Sequence, residues 1–271
     1  MKKLIFFLFV MLNSMVGFSQ MTYKEIRDIA YYPENLKSQT AYQKKQCVLN
    51  VYYPEGKENV PVIIWFHGGG LTGGSKEIPQ TLKDKGYCIV GVGYRLSPKV
   101  KAEVCIEDAT AAVAWTLNNI KKYSGDSASV FVSGHSAGGY LALMTVMDKS
   151  RLKKYGLDAN DVAGLVPFSG HTITHFTIRA ERGIPGDQPI VDEFAPLYFV
   201  RNDAPPTLLI TGDRKLEMLG RYEENAYFYR MMKVVGQEDI TQYEMQGYGH
   251  GMTYPAFPLL IEFVKEKTKR L

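Results

Sequence analysis

Histidine, cysteine and tryptophan are scarce in this chain: five, three and two residues among 271. Three cysteines (Cys47, Cys88, Cys105) are too few for a disulfide scaffold, and their odd number leaves at least one outside any intramolecular bridge. Cys88 falls in the apolar run Tyr87 to Val92 and Cys105 on a helix face, where a thiol serves as a small buried hydrophobe. A Cys88–Cys105 bridge is the alternative, although a domain of this size needs no staple. His171 and His175 lie four apart but lack the Glu that directly follows the first His in a zinc helix, so no metal is expected.

An excess of one charge is missing too. The chain has 32 Lys+Arg against 28 Asp+Glu, and without Lys2 and Lys3 the count is 30 against 28, a net +2. That balance excludes a nucleic-acid footprint. The basic cluster Lys265, Lys267, Lys269 and Arg270 reads as the solvated face of a terminal helix. Long apolar runs are absent apart from Leu4 to Leu12, which follows Lys2 and Lys3 and precedes the small residues Gly17 and Ser19. The pattern predicts a signal peptide over 1–19, cut between Ser19 and Gln20, and hence a periplasmic or secreted protein. The apolar stretch is too short to span a bilayer, so the mature form is expected to have no membrane span. With no repeat, low-complexity stretch or Pro/Ser-rich linker, residues 20–271 read as one domain with a sizeable core.

What is present is a pair of glycine boxes. Gly134-His135-Ser136-Ala137-Gly138-Gly139 directly follows the apolar run Ser129 to Ser133 and precedes the helix-forming Tyr140 to Val146. Strand, tight turn, helix is the context in which G-x-S-x-G means a nucleophile elbow, with Gly134 and Gly138 leaving room for the turn. The helix N-terminus points its free N–H groups at whatever Ser136 attacks. The second box, His67-Gly68-Gly69-Gly70, follows the unbroken apolar run Pro61 to Phe66, which reads as a strand buried on both faces. Consecutive glycines expose backbone N–H groups of the kind that stabilise an oxyanion, and the Gly-Lys-Ser/Thr of a phosphate loop is absent.

Around these boxes strand and helix patterns alternate. Strands are predicted at Tyr23 to Tyr32, Gln46 to Tyr53, 61–66, 88–93, 129–133, Val162 to Val166, Thr207 to Thr211 and Thr241 to Met245. Helices are predicted at Ala102 to Tyr123, after the elbow, at Arg221 to Val235 and at Phe257 to Lys269. The order implies an α/β fold: a mostly parallel, doubly wound sheet with antiparallel N-terminal strands and helices on both faces. The stretch around 170–200 breaks the rhythm and would lie over the carboxyl edge of the strands, as a cap-like insertion or a decorated loop.

Taken together, His67 to Gly70, Tyr94-Arg95-Leu96-Ser97-Pro98, Glu107-Asp108, the elbow box and Gly249-His250-Gly251 resemble the α/β-hydrolase fold. More narrowly, the order is similar to that of the hormone-sensitive-lipase-like and feruloyl-esterase-like carboxylesterases. The resemblance implies Ser136 as nucleophile, His250 as general base, and the N–H groups of Gly69, Gly70 and Ala137 as the oxyanion hole. It makes His67 a brace for the glycine loop and implies no metal or organic cofactor. His250 also follows the last strand, on a loop from which a base can reach Ser136. His135 sits inside the elbow, where its side chain is expected to turn toward packing.

The triad acid departs from the family pattern. The usual place, three residues beyond the glycine ending the seventh strand, is Lys215, which cannot hold an imidazolium. Counting back from the next helix favours Glu217, with Asp213 the alternative. The expected activity is that of an exported serine carboxylesterase on small acyl or aryl esters, carbohydrate-linked acetyl or feruloyl esters among them. The alternatives are an arylformamidase or peptidase of the same fold, or a non-catalytic ligand-binding member. The partner is thus a small-molecule ester, with no nucleic acid, and Phe168, Phe176, Tyr198, Tyr248 and Tyr254 fall where they either line its pocket or pack the core.

Overall fold

Val62, Ile63, Ile64, Trp65 and Phe66 are all buried, and their side chains leave the strand alternately. Val62, Ile64 and Phe66 enter one core cluster while Ile63 and Trp65 enter the other, which is why the run shows no polar alternation. The computed structural model describes residues 21–33 and 39–269, so the predicted signal peptide and Arg270 lie outside the described residues.

The strands are β1 (Tyr23–Ala30), β2 (Val48–Pro54), β3 (Val60–Phe66), β4 (Cys88–Val92), β5 (Gly125–His135), β6 (Gly164–Phe168), β7 (Thr207–Gly212) and β8 (Ile240–Met245). They form one sheet in the order β1-β2-β4-β3-β5-β6-β7-β8. The pairs β1/β2 and β2/β4 are antiparallel and the rest parallel. The helices are α1 (Ala41–Gln46), α2 (Ala102–Asn119), α3 (Ala137–Met147), α4 (Lys149–Lys153), α5 (Phe176–Glu181), α6 (Arg221–Val234) and α7 (Thr253–Thr268). Helices α2, α3 and α6 cover one face of the sheet and α7 the other. This is the α/β-hydrolase architecture expected from the motifs.

Several local expectations differ. The expected β2 begins two residues late because α1 occupies Ala41–Gln46, capped by the Thr40 side chain on the Gln43 N–H. Helix α2 stops at Asn119 and tightens into a 3-10 turn through Tyr123, and α7 starts four residues earlier than expected, at Thr253. Lys267 is not solvated: it is buried, and its Nζ lies 2.6 Å from Asp239 Oδ1. That ion pair pins α7 to the segment entering β8. All three cysteines are free and buried. Burial pushes the Cys47 and Cys105 thiols up to about 12 and the Cys88 thiol higher still.

Two of the quoted boxes are tied together by one buried carboxylate. Asp108, fully buried on α2, accepts from Arg95 Nε at 2.8 Å, Arg95 Nη2 at 2.6 Å and the Arg95 N–H at 3.0 Å. The bidentate fork locks the loop after β4 onto α2. Tyr94, on the same loop, stacks on His67 with ring centroids 4.2 Å apart and donates its hydroxyl to the His67 carbonyl at 2.8 Å. The helix, the loop and the glycine box are thus one braced unit.

Candidate active site

Ser136 occupies a backbone conformation that L-residues rarely adopt, φ 55° and ψ −115°. Two glycines make this turn sterically attainable. A Cβ on Gly138 would sit 2.0 Å from the Phe66 carbonyl oxygen, and one on Gly134 2.6 Å from the Gly138 carbonyl. The Ser136 N–H is held by the Phe168 carbonyl at 2.8 Å, tying the elbow to β6. Ala137 begins α3, so its N–H has no intrahelical acceptor.

Beside the elbow lies the loop after β3. Gly69 and Gly70 have φ of 113° and 64°, values favouring glycine. The Gly69 carbonyl is used internally, accepting from Thr72 N at 3.0 Å and Gly73 N at 2.9 Å. The Gly70 carbonyl accepts from Thr177 Oγ1 at 2.5 Å. Among the described residues, the N–H groups of Gly69 and Gly70 have no acceptor. His67 braces this loop, its Nδ1 lying 2.7 Å from the Gly68 carbonyl, and burial lowers its pKa toward the neutral ring.

The structure brings three of the predicted residues into one chain. His250 Nε2 is 2.8 Å from Ser136 Oγ, and His250 Nδ1 is 2.6 Å from Glu217 Oε1. Those contacts assign Nδ1–H as the donor to Glu217 and Nε2 as the acceptor from Ser136. Glu217 reaches His250 because Asp213 to Glu217 closes as a single helical turn, Glu217 N to Asp213 O being 2.8 Å. The turn carries residue 217 back over the strand end, where its Oε2 accepts from the Gly212 N–H at 3.1 Å. Burial alone would raise the Glu217 carboxyl, but the bonds from His250, Ser169 and the Met218 N–H hold it down to about 2.

Asp213 does not touch His250. Its carboxylate accepts from Lys215 N at 2.9 Å and Gly247 N at 2.9 Å, and its own N–H donates to the Tyr248 carbonyl at 2.7 Å. It clips the loop bearing Glu217 to the loop bearing His250. Lys215 is exposed to solvent. His135, expected only to pack, instead puts Nε2 2.8 Å from the His250 carbonyl, and burial lowers its pKa to about 4, with His250 adding to the effect. It is therefore a neutral donor steadying the backbone of the base.

His171 and His175 form no metal site: among the described residues no group of three or more His, Cys, Asp or Glu converges on one. His171 lies between Glu224 and Arg221, and His175 is buried against Tyr140 and Phe176. Of the five aromatic residues, Phe168 is core, packed on Trp65 and Phe257. Phe176 faces Gly70, while Tyr198, Tyr248 and Tyr254 are exposed. Sequence reasoning passed over Ser169, whose hydroxyl donates to Glu217 Oε2, and Arg221, which holds the Ser169 carbonyl. The available signal was a small polar residue between the end of β6 and Gly170, at the same sheet edge as the elbow.

The BD-FAE family model matches residues 49–217, more than half of the chain. Esterase LipC of Mycobacterium tuberculosis is 26% identical over 224 residues, covering 70% of this chain and 53% of LipC. The chain thus spans about half the length of that relative. A truncated carbohydrate esterase from gut microbiota superposes with a TM-score of 0.73 at 18% identity, covering 92% of this chain and 98% of the other. An inhibited esterase B of Lactobacillus rhamnosis superposes with a TM-score of 0.72 at 20% identity, covering 92% and 88%. At such identities the superpositions speak to the fold alone.

Proposed function

The chain belongs to the BD-FAE family, and from that premise we propose that it is an exported serine carboxylesterase. Its substrates are small acyl or aryl esters, carbohydrate-linked acetyl or feruloyl esters among them. The observation that carries this reading is the Ser136–His250–Glu217 chain, with spacings of 2.8 and 2.6 Å.

Ser136 Oγ attacks the ester carbonyl carbon as its proton passes to His250 Nε2. The imidazolium so formed is stabilised by Glu217, which also fixes the tautomer that leaves Nε2 free to accept. The carbonyl oxygen becomes an oxyanion and takes hydrogen bonds from the N–H groups of Gly69, Gly70 and Ala137, one such donor contributing about 3 kcal/mol. His250 then protonates the departing alkoxide, leaving an acyl-Ser136. Water, deprotonated by His250, attacks the acyl carbon; the bond to Ser136 Oγ then breaks, His250 returns the proton to Oγ, and the acid leaves.

The carbohydrate reading takes up the carbohydrate esterase from gut microbiota on whose fold this chain superposes. A cavity of about 550 Å³ meets the elbow at Gly68 and His135 and is otherwise lined by residues outside the triad and the oxyanion donors, Trp65, Glu77, Tyr254 and Phe257 among them. Residues 170–200 act as a fixed cap, fastened to the glycine loop through Thr177. Export rests on the Lys2-Lys3 and Leu4 to Leu12 pattern. No helix of the described residues is long and apolar enough to cross a membrane.

Ser136→Ala tests the reading. Hydrolysis of p-nitrophenyl acetate should fall on the order of 10⁴-fold or more in kcat with folding intact. Normal turnover by the folded variant would refute it. Rates across acetyl, butyryl, octanoyl and feruloyl esters rank the acyl preference, and intact-mass measurement of exported protein reads the mature N-terminus.

A further inference from the structure

Ser169, the first residue beyond β6, is fully buried and has φ 46°, a left-handed value for a residue with a side chain. Such a conformation is strained and persists only where its surroundings hold it. Here they do so from both sides. The Ser169 N–H donates to the Ile210 carbonyl at 2.7 Å, and its carbonyl accepts from Arg221 Nη1. Arg221 is only 1% exposed and is itself fixed: Nε donates to Glu224 Oε1 at 2.8 Å, and Nη2 lies 2.6 Å from His171 Nε2. His171 Nδ1 lies 2.8 Å from Glu224 Oε1, and Nε2, facing the Arg221 guanidinium, accepts from it. Glu224 Oε2 takes the N–H groups of Thr172 and Ile173 at 3.0 and 3.1 Å.

The strained serine points its hydroxyl at Glu217 Oε2, while Glu217 Oε1 takes His250 Nδ1 and the Met218 N–H. We propose that Ser169, anchored by Arg221, is a positioning residue that fixes the plane of the Glu217 carboxylate and thereby the reach of His250 toward Ser136. The proposal rests on the esterase reading of those three residues. The terminal torsion of a glutamate is soft. Besides the Ser169 hydroxyl, Oε2 has among the described residues only the Gly212 N–H, at 3.1 Å, so removing the hydroxyl leaves that oxygen on one longer bond and loosens the plane. With both oxygens held, Oε1 stays on the His250 ring as charge develops there. The buried Arg221–Glu224–His171 cluster touches neither Ser136 nor His250; through Ser169 it acquires a role in the reaction.

The test separates hydroxyl from backbone strain. Ser169→Ala and Ser169→Gly both remove the hydroxyl, but only glycine is free of the φ penalty; Ser169→Thr restores the hydroxyl and worsens the strain. We expect kcat for p-nitrophenyl acetate to fall roughly 10- to 100-fold, with KM little changed, in both the Ala and Gly variants. The Gly variant should melt at or above the Ala variant, and the Thr variant should recover kcat while melting lower. The NMR resonance of the proton between His250 Nδ1 and Glu217 should move in the Ala and Gly variants and return in the Thr variant. If kcat instead tracks melting temperature, or is unchanged in the Ala and Gly variants, the proposal is overturned. Should the Thr variant not fold, the Ala and Gly pair decides alone. Activity that survives Ser136→Ala defeats the esterase reading; activity lost there but unchanged in Ser169→Gly defeats only this proposal.

Discussion

The two sides of the site are made of different material. On the elbow side, every group proposed to meet substrate except the Ser136 hydroxyl is backbone: the N–H groups of Gly69, Gly70 and Ala137. On the other side, His250, Glu217 and the Ser169 hydroxyl are linked side chain to side chain, with the Arg221 guanidinium on the Ser169 carbonyl behind them. Backbone donors cannot be lost by substitution, but their placement tolerates no added atoms, as the 2.0 Å approach of a Gly138 Cβ to Phe66 O makes plain. Side-chain links can be lost one at a time, yet they allow the chain beneath them to shift. That freedom explains how the acid stands at residue 217 rather than 215. A helical turn from Asp213 returns Glu217 to the strand end, and a long side chain covers what remains.

Four outcomes break or sharpen this contrast. Gly138→Ala carries the largest effect: with a backbone carbonyl in the way, it should yield no soluble folded protein, judged by expression and circular dichroism. A folded, active variant would show that the elbow yields as readily as the other side. Glu217→Gln should fold and bind substrate but lose roughly 10⁴-fold in kcat, because the amide no longer sets the tautomer or balances the imidazolium. Asp213→Asn should cost less than about tenfold, since its contacts are with backbone and only clip two loops together. Reversal of the Glu217 and Asp213 ranking in steady-state kinetics would move the acid to Asp213.

The smallest effect is on stability with pH. Burial holds His135 at about 4 and lowers His67, His171 and His175 as well. The unfolded chain therefore binds protons that the folded state refuses as pH falls below the ordinary histidine value of about 6.5. Stability contributed by these neutral rings is full above that value and declines from there down to about 4, where His135 titrates in the folded state. Urea midpoints at pH 7 and pH 5 read the slope; a flat profile would mean the rings protonate in place.

Much of this was legible in the sequence because its cause was local. The two glycine boxes, the buried runs and the order of strands are properties of contiguous residues, and they sufficed to name Ser136 and His250. Counting back from α6 points to Glu217, and the structure puts that residue against His250 because Asp213 to Glu217 closes as one turn. Ser169 and Arg221 lie 33 and 85 positions beyond Ser136, meet only because β6, β7 and α6 are neighbours, and carry no motif of their own. Lys267 was misjudged for a related reason: its charge is answered by Asp239, 28 positions earlier on another element.

The Thr177 hydroxyl on the Gly70 carbonyl has a further consequence for anyone recombining this scaffold. It joins α5 to the Gly70 carbonyl, so that segment and the glycine loop are not separable modules. Grafting residues 170–200 from a relative to alter which acyl group is accepted would, in the same act, reset the tilt of the Gly70 peptide. Selectivity and turnover in such chimeras should therefore vary together, and restoring a hydroxyl at position 177 is the first repair to make.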